Sequence, residues 1–480
     1  MSKFSDKIQT IIQESGYTVY QISRGSGLGR TSIHKMMSGT LIPGRDFMNQ
    51  FYDYMRVGPV ERQELEYYYM IEKDGWERYE NRMFIKEMLE GVSDRYEEGV
   101  AKDLMDVQNW EEDYSNLEQA SNLYQTLNLV HRILCKEWNN YDQPRLDMNI
   151  PLSSKYLVQM IYQLYREKGK HVKVRQVVIM NQNPSRLKDA NYNLKILHRI
   201  LPLSLSFPNQ YQVRRCYSKC EEKDSYAFFW PYYMITHDYV IMISYDGSSA
   251  YLQKEPGIVK KYQEAFQALF EDSALFLEQY HDPMEAMKNY LKNYEEYGIP
   301  DYTLEHKPCL DHMFTDGTLK SMMGSKAEEF PELFQLLHDF YIRSGQNPKK
   351  PIGFFSQSGL EDFKKTGRLF ENTGIFLHGF EEDKRTAMLK TFLERSRQTN
   401  IESHMILDRR MKIPSNLMIE AFGARKLLLF HSASPTNLNF IQITESSICE
   451  AFLDFMEYLA ESDMALSTED TLKHIEGMLD

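Results

Sequence analysis

The sequence predicts a multidomain chain. It has an all-α N-terminal domain folded around a helix-turn-helix, a helical connector, and an α/β C-terminal region built from two repeated β-α-β-β-β-α units. Three observations predict this. Short amphipathic segments broken by glycine fill residues 1–75. Apolar stripes at helical spacing run through the connector, 76–145. Strands rich in β-branched residues then alternate with helices in a first unit, 146–300, and again after a helical insert within 301–480.

The first helix, from Phe4 to Ser15, carries Phe4, Ile8, Ile11 and Ile12 on one face, and Gly16 ends it. Thr18 is the N-cap of the next helix, VYQISRGSG, with Gln21 at the third helical position to complete a capping box. Val19, Ile22 and the small Ser23 face inward. Gly25 and Gly27 flank a tight turn where positive φ is accessible, and Leu28 follows it. The third helix, GRTSIHKMMSG, buries Ile33 and either Met36 or Met37, and Gly39 closes it. Pro43 precedes the helix RDFMNQFYDYM, and Gly58-Pro59 opens VERQELEYYYMIEK.

The segments YQISRGSGLGRTSIHKMMSG and TLIPGRDFMNQFYDYM resemble the lambda-repressor-like, or Xre-type, helix-turn-helix family, and the resemblance covers roughly the first 73 residues. Gly29 departs from it, standing where the family usually has a Ser or Thr cap. The resemblance implies that the third helix enters the major groove. Arg30, Thr31 and Lys35 would then lie at base edges, with Ser32 and His34 at the margins. Thr18, Tyr20 and Gln21 would rest against phosphate, and Arg45 is a further phosphate candidate. The implied partner is a double-stranded DNA operator bound by a homodimer. As a whole the chain is similar to long Xre-type regulators with a two-part C-terminal region, a likeness that lends no ligand.

Charge agrees with the pattern. Residues 1–60 hold seven Lys or Arg against four Asp or Glu, a net of +3 within a chain of −13. Residues 61–114 hold 17 acidic and seven basic residues, a stretch that repels nucleic acid and confines contact to the N-terminal domain. A net of +3 is modest, so a dimer on a two-part site is expected.

The stretch WERYENRMFIKEMLEGV places Tyr79, Met83, Ile85, Met88 and Leu89 near one face. NLEQASNLYQTLNLVHRILCKEW also suits a helix, although VHRILCKEW can be read as a strand. These stripes serve either dimerisation or internal packing. From about residue 145 the elements are RLDMNIP (strand), SSKYLVQMIYQLYREKG (helix), VKVRQVVIM (strand) and PSRLKDANYNLKILHRIL (helix). YQVRRCY, YAFFWPYYMIT and DYVIMISYD follow as strands, Asp246-Gly247 turns into SAYLQ, and GIVKKYQEAFQALFEDSALFLEQY is a long helix. The insert from Pro300 reads as mainly helical and polar, and FFSQSGLEDF as a strand with a capped turn. The order then recurs: TGIFLHGF (strand), DKRTAMLKTFLERSRQ (helix), SHMILD, SNLMIEAF, RKLLLFHS and LNFIQIT (strands), and SSICEAFLDFMEYLAES (helix). QEAFQALF and CEAFLDFM echo each other, so the repeats run roughly 150–300 and 345–465.

No catalytic or metal constellation stands out, and neither an enzymatic activity nor a cofactor is expected. A duplicated α/β unit is similar to the phospholipase-D-like fold, whose motif needs a His, a Lys two residues on and an Asp five beyond. His171 and Lys173 open it, but residue 178 is Val. No phosphate-binding loop, GxSxG elbow or HExxH helix occurs. His237-Asp238 and Asp311-His312 read as structural or solvated. The five cysteines, Cys135, Cys216, Cys220, Cys309 and Cys449, are scattered and lack zinc-finger spacing. With no export signal and no long uncharged apolar run, a cytoplasmic protein off the membrane is expected. The aromatic run Tyr226, Phe228, Phe229, Trp230, Tyr232 and Tyr233 is either a sheet core or the wall of a pocket for a small-molecule or peptide effector. The function these features predict is a sequence-specific transcriptional regulator with a C-terminal effector-sensing or dimerisation region. The alternative is a DNA-targeted interaction scaffold, antitoxin-like or phage-related, without ligand sensing.

Overall fold

The computed structural model describes residues 2–94, 118–150, 155–168, 172–182, 190–206, 210–218, 230–310, 313–347, 349–369, 379–399, 401–434 and 437–479. It divides into two compact units, Met1–Phe84 and Ile85–Asp480.

The first unit is helical: α1 (Lys3–Ser15), α2 (Val19–Ser26), α3 (Arg30–Met37), α4 (Arg45–Met55), α5 (Pro59–Asp74) and the start of α6 (Trp76–Asp94). Local chemistry sets the ends. Gly16 and Gly27 close α1 and α2 at φ 70° and 77°, a region only glycine enters cheaply. The Thr18 hydroxyl accepts from the Gln21 amide at 3.3 Å, and the Gln21 side chain accepts from the Thr18 amide at 2.9 Å. This reciprocal box satisfies two otherwise orphaned donors. α3 starts at Gly29 with no side-chain cap. Phe4, Ile8, Ile22, Ile33, Met36, Met48, Phe51 and Tyr69 form a closed core, while Met37 is only half-buried. The Tyr69 hydroxyl donates to the Pro43 carbonyl at 2.9 Å, so this buried phenol is satisfied.

The second unit continues with β1 (Gln119–Ala120), α7 (Leu123–Asn140), β2 (Arg145–Asn149), α8 (Lys155–Lys168), β3 (Lys173–Asn181) and α9 (Tyr192–Ser206). β4 (Tyr211–Ser218), β5 (Tyr232–Ile235), β6 (Val240–Ile243), β7 (Ala250–Gln253) and α10 (Pro256–Asp272) follow. Next come β8 (Ala274–Leu275), β9 (Leu277–Tyr280), α11 (Pro283–Tyr297), β10 (Tyr302–Glu305), α12 (Asp316–Met323), α13 (Lys326–Glu329) and α14 (Pro331–Gln346). The chain then forms β11 (Ile352–Ser356), α15 (Gln357–Thr366), α16 (Glu382–Thr399), β12 (Ser403–Ile406), β13 (Leu417–Phe422), β14 (Lys426–Ser434), β15 (Asn437–Ile443), α17 (Ser446–Glu461) and α18 (Thr468–Leu479).

These strands make two mixed sheets. The first has the order β1-β7-β6-β5-β2-β3-β4-β8, with β2, β3 and β4 parallel and the other pairings antiparallel. The second has the order β12-β11-β10-β13-β14-β15-β9, with β10, β11 and β12 parallel and the rest antiparallel. Each parallel trio needs crossover connections, which helices supply, and each antiparallel run needs only short turns. α10 lays Val259, Phe266 and Phe270 on Val177, Ile235 and Val240 of the first sheet. α11 and α14 cover the second sheet through Tyr290 and Phe340 against Phe422, Phe430 and Phe440. α15, α16 and α18 pack Leu360, Phe363, Phe392 and Ile475 with Phe355 and Met405. The two sheets are joined by polar contacts: Asn193 donates to the Ser447 hydroxyl at 2.9 Å, Tyr217 to the Glu445 carboxylate at 3.1 Å, and Asn439 to the Leu205 carbonyl at 2.9 Å.

Several elements differ from the sequence expectation. Each sheet is built on a β-α-β-α-β-β-β-β order rather than β-α-β-β-β-α, because the parallel trio contributes three strands. Part of the supposed helical insert, Tyr302–Glu305, is a central strand between β11 and β13. The long helix from Gly257 stops at Asp272, and the following residues become β8 and β9, held by the distant strands β4 and β15. Gln357–Thr366 is a helix rather than a turn; Ser356 caps it through the Gly359 amide at 2.9 Å. Gly359 has no room for a side chain, since a Cβ there would lie 1.7 Å from the His306 carbonyl oxygen. The connector contains β1 as well as helices, and VHRILCKEW lies in α7. Most of TGIFLHGF lies outside the described residues, and its last two, Gly379 and Phe380, are not in a strand.

Candidate nucleic-acid interface

The first unit keeps one stretch free of acid: residues 15–45 contain no Asp or Glu, in a chain with 69. Within it lie α2, α3 and the turn that joins them. Arg30 and His34, and likewise Thr31 and Lys35, are four residues apart, so each pair is stacked along the outer side of α3. All four are exposed, and among the described residues their side chains make no hydrogen bond or ion pair. Ser32 is half-buried beside them. On the other side of α3, Ile33 and Met36 are fully buried and hold the helix to the core.

Most of the remaining cations of this unit are occupied. Lys7 pairs with Glu64 at 2.8 Å, Arg82 with Asp74 at 2.6 Å, and Arg62 lies over the Tyr52 ring. The Glu64 hydrogen bond raises the Lys7 ammonium above its ordinary value. Arg45, named above as a phosphate contact, is half-buried and paired with Glu66. Its guanidinium therefore has to leave that carboxylate, or share it, to reach a ligand. Among the described residues of the first unit, the unpartnered cations are Arg24, Arg30, Lys35 and Arg56, three of them on α2 and α3.

Thr18 and Gln21 are exposed at the start of α2, and their side chains are engaged there in the capping box and with each other. Tyr20, 57% exposed, stands beside them. The α2–α4 contact is tight: a Cβ on Gly25 would meet the Tyr54 ring at 2.3 Å, and the Tyr54 hydroxyl donates to the Gln21 carbonyl at 3.2 Å.

The other sequence candidates are not brought together. Phe228, Tyr226 and Phe229 lie outside the described residues, as do His171, Cys220, Asp311 and His312. Trp230 is exposed, outside any strand. Tyr232 and Tyr233 are neighbours on β5 and so face opposite sides. Tyr232 stacks on Tyr245 and Tyr233 meets Phe266 edge-on; burial pushes each phenol up to about 12. His237 does not pair with Asp238. Its Nδ1 lies 2.5 Å from the buried Glu137 carboxylate, and its ring stacks on Tyr141, whose hydroxyl donates to Asp238 at 2.8 Å. Sequence reading missed Glu137 because it sits a hundred residues away, on α7. The Cys216 thiol is half-buried, and desolvation raises it above its usual value. Among the described residues no group of three His, Cys, Asp or Glu is placed to hold a metal ion, and no helix is long and apolar enough to cross a membrane.

No protein-family model and no curated protein matches the chain. Among solved structures, one similar chain is TrmBL2, an archaeal chromatin protein described as showing a novel mode of DNA binding. The identity is 11%, over 57% of this chain and 94% of that one, with a TM-score of 0.22. Another is polyphosphate kinase from Porphyromonas gingivalis, at 9% identity over 74% of this chain and 54% of that one, with a TM-score of 0.19. Alignments at these scores establish neither a shared fold nor a shared activity.

Proposed function

We propose that the protein is a sequence-specific DNA-binding regulator of the Xre type that reads an operator with α3 and acts as a homodimer. One observation carries the reading. In the first unit, three of the four cations left without an intramolecular partner stand on α2 and α3, inside a 31-residue stretch free of acid. A duplex presents a line of phosphates, and unpartnered Arg and Lys on a helix can neutralise it or bond base edges bidentately. Arg30, Thr31 and Lys35 serve as base contacts, with Ser32 and His34 beside them, and the α2 start with Thr18, Tyr20 and Gln21 rests on the backbone. The C-terminal region supplies dimer contacts or effector response. We read its two sheets, which share one strand order and one parallel-then-antiparallel scheme, as two copies of one unit.

The test is genome-wide footprinting with purified protein, alongside the Arg30→Ala, Lys35→Ala double variant. Discrete inverted-repeat sites lost in the variant support the reading. Weak, sequence-blind binding that the variant retains overturns it and favours an interaction scaffold.

A further inference from the structure

The parallel trio of the first sheet starts in a charged cleft. Alternate residues on a strand share a face, and the register sets Arg145 opposite Lys173, Asp147 opposite Arg175, and Arg175 opposite Gln212. All five therefore project from one side of the sheet, the side that α10 covers further along. Gln267 of α10 overhangs the same end. Arg145, Lys173, Arg175, Gln210, Gln212 and Gln267 line a cavity of about 370 Å³.

Its floor is built in advance of any ligand. The Asp147 carboxylate is fully buried and accepts from both guanidiniums: Arg145 at 2.5 and 2.7 Å, Arg175 at 2.7 and 2.8 Å. Arg175 also donates to Gln267 at 2.6 Å, and its plane lies 5.3 and 5.1 Å from the Phe266 and Phe270 rings. Its rotamer entropy is thus spent on folding rather than on binding. Lys173 is exposed and has no carboxylate partner among the described residues. Three cations face one carboxylate, leaving an excess of two positive charges. One carboxylate also leaves N–H donors over on two guanidiniums, which carry five each.

We propose that this cleft binds a small oxyanion of about two negative charges, either a phosphoryl group or a di- or tricarboxylate, held by Lys173 and the remaining N–H donors of Arg145 and Arg175. Gln212, which is exposed, supplies a neutral donor and acceptor for the rest of the molecule, while Gln267 is held at the rim, its Oε1 accepting from Arg175 and its Nε2 donating to Glu271. The volume lies at the small end of ligand pockets and fits one compact ligand. A duplex needs a longer row of cations. Any effect of the anion on DNA rests on the regulator reading above; the binding itself does not.

The test is isothermal titration of the full chain, at constant ionic strength and pH 7.5, with inorganic phosphate, pyrophosphate, succinate and citrate. The expected result is saturable binding of one anion per chain. Lys173→Ala weakens it by about tenfold or more, Lys173→Arg restores most of it, and Gln212→Glu abolishes it. Circular dichroism verifies that each variant is folded. Preference for the phosphates identifies a phosphoryl ligand, and preference for the carboxylates identifies a carboxylate ligand. No saturable binding by any of the four, or equal binding by Lys173→Ala and Gln212→Glu, overturns the assignment. DNA affinity is then measured with and without the anion. Anion binding that leaves DNA affinity unchanged keeps the site and overturns its coupling to regulation. Absence of DNA binding overturns the regulator reading while the titration still decides the site.

Discussion

Lowering the pH from 7 to 5 is expected to weaken the second unit through His431. The residue sits in the middle of β14, paired with Leu417 of β13 and Asn439 of β15, and is 1% exposed. Desolvation pushes its imidazole down from 6.5 to about 4. The Asn416 amide donates to its Nε2 at 3.1 Å, a bond that only the neutral ring accepts. The folded pKa lies below the unfolded one, so this contribution is complete above pH 6.5 and is lost as pH falls towards 4. At 1.36 kcal/mol per pH unit, the loss is about 2 kcal/mol between pH 7 and 5 and about 3 kcal/mol by pH 4. The assay is urea unfolding at pH 7, 6 and 5, followed by the fluorescence of buried Trp138, with His431→Gln beside the native chain. The glutamine keeps a polar partner for Asn416 and does not titrate. Carboxylates and the other histidines cancel in the difference. A native-minus-variant stability difference constant to within about 0.5 kcal/mol from pH 7 to 5 would refute the reasoning.

Three further substitutions probe separate features. Gly359→Ala drives a Cβ into the His306 carbonyl and is expected to cost about 4 kcal/mol or more; a melting temperature within a few degrees of the native value would contradict the close approach. Asp147→Asn removes the buried charge that pairs Arg145 and Arg175. Because both guanidiniums reach solvent, the expected loss is about 3 kcal/mol, the low end for a broken buried pair, read by urea unfolding. Thr18→Ala breaks the capping box on α2 and should cost about 1 kcal/mol in the first unit, measured by hydrogen exchange of the α2 amides; unchanged protection would show that tertiary packing alone holds that helix end.

Where signals were local, the sequence told them. The Thr18–Gln21 box, the Gly16 and Gly27 ends and the β-branched run of β3 are written within a few residues. The failures are non-local. Leu275, Phe276 and Leu277 extend the apolar run of α10, so a helix is the natural reading; what makes strands on either side of Phe276 is the pairing of Ala274 and Leu275 with Arg215 and Arg214, and of Leu277 with Ile443. β10 is four residues long and includes Thr303 and Glu305, too short to show alternation, yet it lies inside its sheet, paired on both sides by β11 and β13. In the candidate interface, the exposure of Arg30 and Lys35 follows from the helical period. The engagement of Arg45 by Glu66, 21 residues away, does not. The charged cleft escaped notice for the same reason: Arg145, Lys173 and Gln212 are neighbours only through strand register.

The segment from Ala274 to Tyr280 gives a border strand to each sheet in turn, β8 beside β4 and β9 beside β15. The two halves of the C-terminal region are therefore hemmed by one continuous ribbon. Cutting the chain there to obtain either half separately would strip a border from one sheet and leave a row of unpaired amides and carbonyls. Such an edge invites strand addition from another copy, so isolated halves are expected to precipitate or pair rather than behave as independent modules.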